Sequence, residues 1–271
     1  MSPVPPPPLL PTTWVLLRGL TRGAGHWGDF PARWQAAWPG RRVLVPDWPG
    51  NGARWAERSP ATVAGLTEAL RQDLQARGVA LGREPVGVLA LSLGAMVSCD
   101  WAQRHPRELT AAVLVNTSLR GVSPFWQRLR PARYAGLLRR SMLPTPAGNW
   151  ERHLLASTAP LHARSPGAAA TLIDWVSLRQ RQPVSRANAL RQLAAALRYR
   201  PPVTPPPVPL LLLSGAGDRL VHPVCSAALA RAWACPLRTH PEAGHDLPLD
   251  APDWLIEQVR HWLRAEAPAD Q

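Results

Sequence analysis

The sequence predicts an α/β fold: a mostly parallel central sheet flanked by helices and interrupted by one inserted helical segment. Three observations predict it. Short, wholly apolar runs recur along the chain and end abruptly in small or polar residues, helical stretches alternate with them, and the alternation fails once, over residues 120–200. A chain of 271 residues suits one such domain and can bury a sizeable core.

The apolar runs are residues 14–17, 43–45, 86–91 and 111–115, followed much later by 209–213 and a weaker sixth at 237–240. Runs this short, apolar on both faces, read as buried parallel strands. Between them, 62–78 places Leu66, Leu70 and Leu74 along one helix face. Further helices are expected at 95–105, 226–233 and 253–264, the last with Pro252 near its first turn, where a missing N–H costs nothing. Strand and helix in alternation imply right-handed crossovers between parallel strands.

Over 120–200 the pattern turns helical. In 185–199, Ser185 is placed to cap, and Leu190, Leu193 and Leu197 share a face. The proline-rich 201–209 cannot form a helix or a central strand, so it reads as an extended return into the sheet. The expected organisation is a core of 1–119 and 201–271 with an inserted helical cap at 120–200.

The net charge of +13 first suggests nucleic acid. Its distribution argues otherwise. All 31 basic residues are arginine, and fourteen of them lie in 120–200 against two acids, Glu151 and Asp174, a balance of +12. Seventeen arginines against sixteen acids leave the rest of the chain at +1. The excess belongs to one segment, and no nucleic-acid partner is expected. A mean hydropathy of -0.15 is ordinary for a soluble globular protein. No apolar run approaches the roughly 20 residues that span a bilayer. The opening residues lack the basic and apolar regions of a signal peptide. Cys99, Cys225 and Cys235 cannot all pair and read as reduced thiols, so a cytoplasmic protein without a membrane partner is expected.

The sharpest local signal is Gly87-Val-Leu-Ala-Leu-Ser92-Leu-Gly94, a buried strand running into a serine with a helix directly after it. That is the setting of a nucleophile elbow, whose tight turn exposes the hydroxyl and demands small neighbours. Gly94 meets the demand, and Ala90 stands where glycine is usual. Alone, the pattern also fits a plain small-residue turn. A serine needs a base and an orienting acid. Asp218 follows the run at 209–213 on a glycine-containing loop, and His245 follows the last strand beside Gly244. Each alone also fits a turn aspartate or a surface histidine. Together they fall in the order serine, acid, histidine, each at a strand's carboxyl end, where open α/β sheets place their sites. His240, within or at the end of the strand, is the weaker candidate base.

With these motifs in view, nearly the whole chain resembles the α/β-hydrolase superfamily. Leu16-Leu-Arg-Gly-Leu20 is similar to that family's oxyanion loop, and Val45-Pro-Asp-Trp-Pro-Gly-Asn-Gly52 to its Asp-x-Pro-Gly-x-Gly turn. The resemblance implies an oxyanion hole made by the backbone N–H groups of Leu20 and Leu93. It also implies a carboxylesterase-like serine hydrolase working through an acyl-enzyme, with no cofactor and no metal. One departure stands out: Arg18-Gly19 occupies the place where many relatives have His-Gly, so the hydrogen bonds supporting that loop must differ. Some relatives carry their acid after the strand at 111–115; here that place holds Asn116-Thr117-Ser118, which favours Asp218.

The partner expected is a small-molecule ester, with an anionic or carrier-protein-linked substrate suggested by the basic cap. Trp126, Arg191 and Arg198 are candidate substrate contacts there. Trp150, Trp175, Leu154 and Leu155 suit either an apolar pocket or packing within the cap. The architecture is similar to that of esterases that demethylate a carrier-bound pimeloyl methyl ester. Thioesterase, lactonase and acyltransferase chemistry use the same triad and stay open, as does a non-catalytic protein that binds acidic partners.

Overall fold

The computed structural model describes residues 10–130, 146–202 and 204–266. Six strands form one sheet: β1 (Thr13–Leu17), β2 (Arg42–Leu44), β3 (Val86–Leu91), β4 (Ala111–Val115), β5 (Leu210–Gly215) and β6 (Leu237–His240). Their order is β2-β1-β3-β4-β5-β6, and every pairing is parallel. The central strands are buried along their whole length, as their apolar runs require. The edges β2 and β6 stay partly exposed and carry Arg42 and Arg238, charges that discourage further strand pairing.

In chain order the helices are α1 (Phe30–Ala37), α2 (Val63–Ala76), α3 (Leu93–Arg104), α4 (Phe125–Arg128), α5 (Ala147–Thr158), α6 (Ala168–Arg181), α7 (Arg186–Arg198), α8 (Val224–Trp233), α9 (Leu247–Asp250) and α10 (Pro252–Glu266). The pleat sorts each strand between two cores. Trp14 and Leu16 of β1 join Phe30 and Trp34 of α1 and Leu255 and Val259 of α10 on one face. Val15 and Leu17 join Leu66 and Leu70 of α2, Trp101 of α3 and Leu229 of α8 on the other. The expected strands and helices are thus present, with ends moved by one or two residues. Helix α1 escapes the sequence reading because its eight residues, with only Phe30 and Trp34 buried, are too few to show a period.

Between β4 and β5 the described elements are all helical, α4 to α7 plus one short 3-10 turn. Leu155, Ala159 and Trp175 make a small core there, so Trp175 and Leu155 pack rather than line an open pocket. One expectation fails on α7. Ser185 does cap it, accepting the Asn188 N–H at 3.1 Å, but the buried face carries Asn188, Gln192 and Ala195, while Leu190 is 61% exposed. The polar face is inward because it meets polar partners. Gln192 donates to Asn51 Oδ1 at 2.7 Å, and Asn188 Nδ2 donates to the Glu57 carbonyl at 2.8 Å. Among the described residues, no helix is long and apolar enough to cross a membrane.

The order of the sheet leaves β1 between β2 and β3, so the chain leaves β1 and β3 in different directions and opens a crevice at their carboxyl ends. Two loops meet in it with almost no spare volume. A Cβ placed on Gly94 would lie 2.7 Å from the Leu17 carbonyl oxygen and 2.8 Å from that of Arg18. Gly94→Ala should therefore destabilise the fold by about 1–3 kcal/mol, the range for overpacking. Gly148→Ala, where a Cβ meets nothing within 4 Å, should be neutral or stabilise by up to ~1 kcal/mol. Urea unfolding midpoints check the pair, and equal midpoints would refute the close approach.

Candidate active site

Strand β3 passes into α3 through Ser92 alone, at φ 56° and ψ -111°. A non-glycine residue there costs on the order of 1–3 kcal/mol and persists only where its surroundings enforce it. Here they do. The Ser92 N–H donates to the Val115 carbonyl at 2.9 Å, and the Ser92 carbonyl accepts from Met96 N at 3.2 Å and Thr117 Oγ1 at 3.2 Å. The serine is partly exposed while its neighbours are buried, as an elbow requires. A Cβ on Gly19 would sit 3.2 Å from Ser92 Cβ and 3.8 Å from its Oγ, so the loop after β1 runs directly past the hydroxyl.

Two backbone donors, one on that loop and one at the start of α3, have no partner among the described residues: the N–H groups of Leu20 and Leu93. Leu93 opens α3, where the first N–H groups and the helix dipole favour negative charge. The kink after Leu20 is held at Thr21 (φ 58°), whose N–H donates to Gln192 Oε1 at 2.9 Å. The Asp-x-Pro-Gly-x-Gly turn supports the loop from behind. Asp47 accepts the Ala24 N–H at 2.6 Å and the Ala53 N–H at 2.9 Å, and Asn51 Nδ2 donates to the Arg22 carbonyl at 3.0 Å.

Asp218 and His245 come together across the loops after β5 and β6. Asp218 Oδ2 and His245 Nδ1 are 2.7 Å apart, with both residues buried. The other oxygen, Oδ1, accepts the N–H groups of Leu220 at 2.8 Å and Val221 at 3.0 Å, which fixes the carboxylate plane. Burial pulls the His245 pKa down, but the charge and hydrogen bond of Asp218 and the charge of Asp246 outweigh it. The net direction is upward from the ordinary value of 6.5. No hydrogen bond joins Ser92 Oγ to the imidazole, a contact that often tightens only when substrate is bound.

Further residues complete the site that the sequence did not assign to it. Asn116, at φ 45°, donates to the carbonyls of Gly244 at 3.0 Å and His245 at 2.8 Å and accepts the Gly215 N–H at 2.9 Å. It pins the histidine loop to the ends of β4 and β5. Asp250 accepts the N–H groups of Gly244, Leu161 and His162. Arg18, where histidine was the usual residue, forks onto Asp246 at 2.9 and 2.6 Å. The position of Asn116 was legible as the alternative acid site, but nothing in the sequence paired Arg18 with Asp246.

The helical segment touches the loops after β1, β5 and β6. Asp246 N–H donates to the Thr158 carbonyl at 2.7 Å, Arg22 pairs with Glu151 at 2.8 Å, and Arg130 donates to the Asp218 carbonyl at 3.2 Å. Trp126, Arg191 and Arg198 are another matter. Trp126 is 65% exposed, and among the described residues no hydrogen bond or ion pair ties any of the three to this group.

Fold and site together define an enzyme scaffold that sets a strained serine, a paired histidine and aspartate, and two amides without acceptors among the described residues at the carboxyl ends of a parallel sheet. The family model for the alpha/beta hydrolase family matches residues 14–258, and the chain belongs to that family. Among curated proteins it is similar to a pimeloyl-acyl-carrier-protein methyl ester esterase of Aromatoleum aromaticum, 28% identical over 84% of this chain and 93% of that protein. Among solved structures it is similar to an enol-lactonase from Burkholderia xenovorans (18% identity, TM-score 0.73, 93% of this chain and 91% of that one). An esterase from Thermogutta terrifontis also matches (22% identity, TM-score 0.66, 94% and 90%).

His240 belongs to the strand. Its Nδ1 accepts the N–H groups of Glu242 at 3.2 Å and Ala243 at 3.0 Å, and its ring packs edge-on against Trp254. With His240 tied to the strand, a base at His245 predicts that His245→Ala abolishes turnover and that His240→Ala leaves kcat within about threefold. Steady-state rates at matched folded fraction check this. Equal losses would point away from His245 as the base.

Proposed function

We propose that the protein is a serine hydrolase that cleaves carboxylic esters through an acyl-enzyme, with Ser92 as nucleophile, His245 as base and Asp218 as orienting acid. The observation that carries the reading is the conjunction of Ser92 at positive φ, the 2.7 Å His245–Asp218 contact and the two unpartnered amides beside the serine. Asp218 holds the proton on Nδ1, which leaves Nε2 free to accept the Ser92 proton as Oγ attacks the carbonyl carbon. Negative charge then develops on the carbonyl oxygen, where the Leu20 and Leu93 N–H groups stabilise it. His245 returns its proton to the leaving alcohol. The same imidazole activates the water that releases the acid and regenerates Ser92.

In this reading residues 120–200 form a cap over the nucleophile, supported by their contacts with the loops after β1, β5 and β6. The named substrate of the Aromatoleum relative, a methyl ester on an acyl carrier protein, and the +12 balance of that segment favour an anionic or carrier-linked ester. Arg191 and Arg198 on α7 have no ion-pair partner among the described residues and are available to an acidic ligand.

Ser92→Ala should keep the fold and lose ~10⁴-fold or more in kcat on any active ester, because triad members act as a unit. A folded Ser92→Ala protein with wild-type rate would refute the assignment. For the basic segment, kcat/KM should favour an anionic ester over its neutral analogue by ~10-fold or more at low salt. The preference should shrink as salt screens charges beyond ~8 Å, and Arg191→Gln with Arg198→Gln should reduce it. A flat salt response with no charge preference identifies a merely solvated arginine face.

A further inference from the structure

Arg18 reaches from the loop after β1 to the loop that carries His245. Its Nη1 and Nη2 meet Asp246 Oδ1 and Oδ2 at 2.9 and 2.6 Å, with only 2% and 4% of the two side chains exposed. The guanidinium lies over the Trp27 ring at 4.8 Å, and the Arg18 carbonyl accepts Trp48 Nε1 at 3.1 Å, so both side chain and backbone are fixed. Leu20 lies two residues after Arg18, and His245 directly precedes Asp246. Strands β3, β4 and β5 separate the two loops in the sheet, so no ladder hydrogen bond sets their spacing.

We propose that the Arg18–Asp246 pair is a positioning element that sets the Leu20 amide against the His245 imidazole and cancels the charge of a second carboxylate beside that imidazole. It rests on the reading of Ser92, Asp218 and His245 as the catalytic group. A buried ion pair seldom stabilises a fold more than apolar side chains of the same volume, so stability is a poor explanation for this one. A two-point fork does what an apolar contact cannot: it fixes distance and plane together. Displacing a reacting group by about 1 Å can cost ~10²-fold in rate.

The charge argument starts from the same placement: Asp246 directly follows His245, and the fork sets the Arg18 guanidinium on its carboxylate. The groups that act on His245 are Asp218 from the loop after β5, Asp246 from its own loop and Arg18 from the loop after β1. Asp250, Arg22 and His162 stand one partner further out, each coupled to Asp246. Asp246 raises the imidazole pKa and Arg18 lowers it. His245 must be neutral to accept the serine proton, so any net rise moves the acid limb of kcat/KM to higher pH, and any net fall moves it lower.

The test is kcat, KM and the acid limb on p-nitrophenyl acetate for a small set of variants. Arg18→Lys keeps the charge and loses the fork: kcat should fall ~10-fold or more with the limb in place. Arg18→Met leaves Asp246 uncompensated and should move the limb up; Asp246→Asn leaves Arg18 uncompensated and should move it down. Each of these strands a buried charge and can lower the folded fraction. The double variant Arg18→Met with Asp246→Leu strands none, and it carries the decision. It should fold, keep the limb close to wild type and still lose ~10-fold or more in kcat at little change in KM. Wild-type kcat in the folded double variant overturns the positioning role, and limbs that do not separate between Arg18→Met and Asp246→Asn overturn the charge role. Turnover that survives in a Ser92→Ala control would instead remove the catalytic reading beneath both.

Discussion

A strand buried on both faces that becomes a helix within one residue is the constraint on which this structure depends. Strand β3 has no exposed side, and the chain passes from it straight into α3 through Ser92 at positive φ. That turn aims the serine outward, starts α3 with an unpartnered N–H at Leu93 and forces the following residue, Gly94, onto the backbone of β1. The strain is held by the Ser92 N–H bond to the Val115 carbonyl and by the Met96 N–H and Thr117 hydroxyl bonds to the Ser92 carbonyl. The outward serine, the unpartnered amide and the close strand contact are three consequences of one backbone event, and the first two are what the proposed nucleophile and anion site require.

The charges around it follow a common rule. Ionised groups taken out of water must be paired. Asp218 is paired by His245 and two backbone N–H groups, Asp246 by Arg18, and Glu151 by Arg22 and Arg179. Each pairing also spans two segments of the chain: β5 to β6, the loop after β1 to the histidine loop, and that first loop to α5. Electrostatic satisfaction and spatial assembly of the site are therefore the same set of contacts. The helical segment is joined to the core by polar contacts of Gln192, Asn188 and Glu151 as well as by apolar packing at Ala195.

What the sequence showed, and what it hid, divides along this line. Strand runs and the leucines of α2 are visible because burial on a regular period leaves a periodic trace. Ser92, Asp218 and His245 are visible because each sits at the end of such a run, where loop chemistry is localised. The Arg18–Asp246 fork joins positions 228 residues apart, and its members look like ordinary loop charges until the fold brings them together. The role of Asn116 is hidden, since an asparagine that holds three backbone groups leaves no pattern of its own. On α7 the period itself misled: the leucines share a face, but buried amides find partners on the turn at 50–59 and take the inner side instead.

The most direct test of the central claim is covalent. Under single-turnover conditions, a fluorophosphonate probe should add one equivalent to the protein, and mass spectrometry of the digest should place it on the peptide containing Ser92. Labelling should be absent in Ser92→Ala and slowed by ~10²-fold or more in His245→Ala, because the serine is a poor nucleophile without its base. Labelling on another residue, or at wild-type rate without His245, would contradict the account.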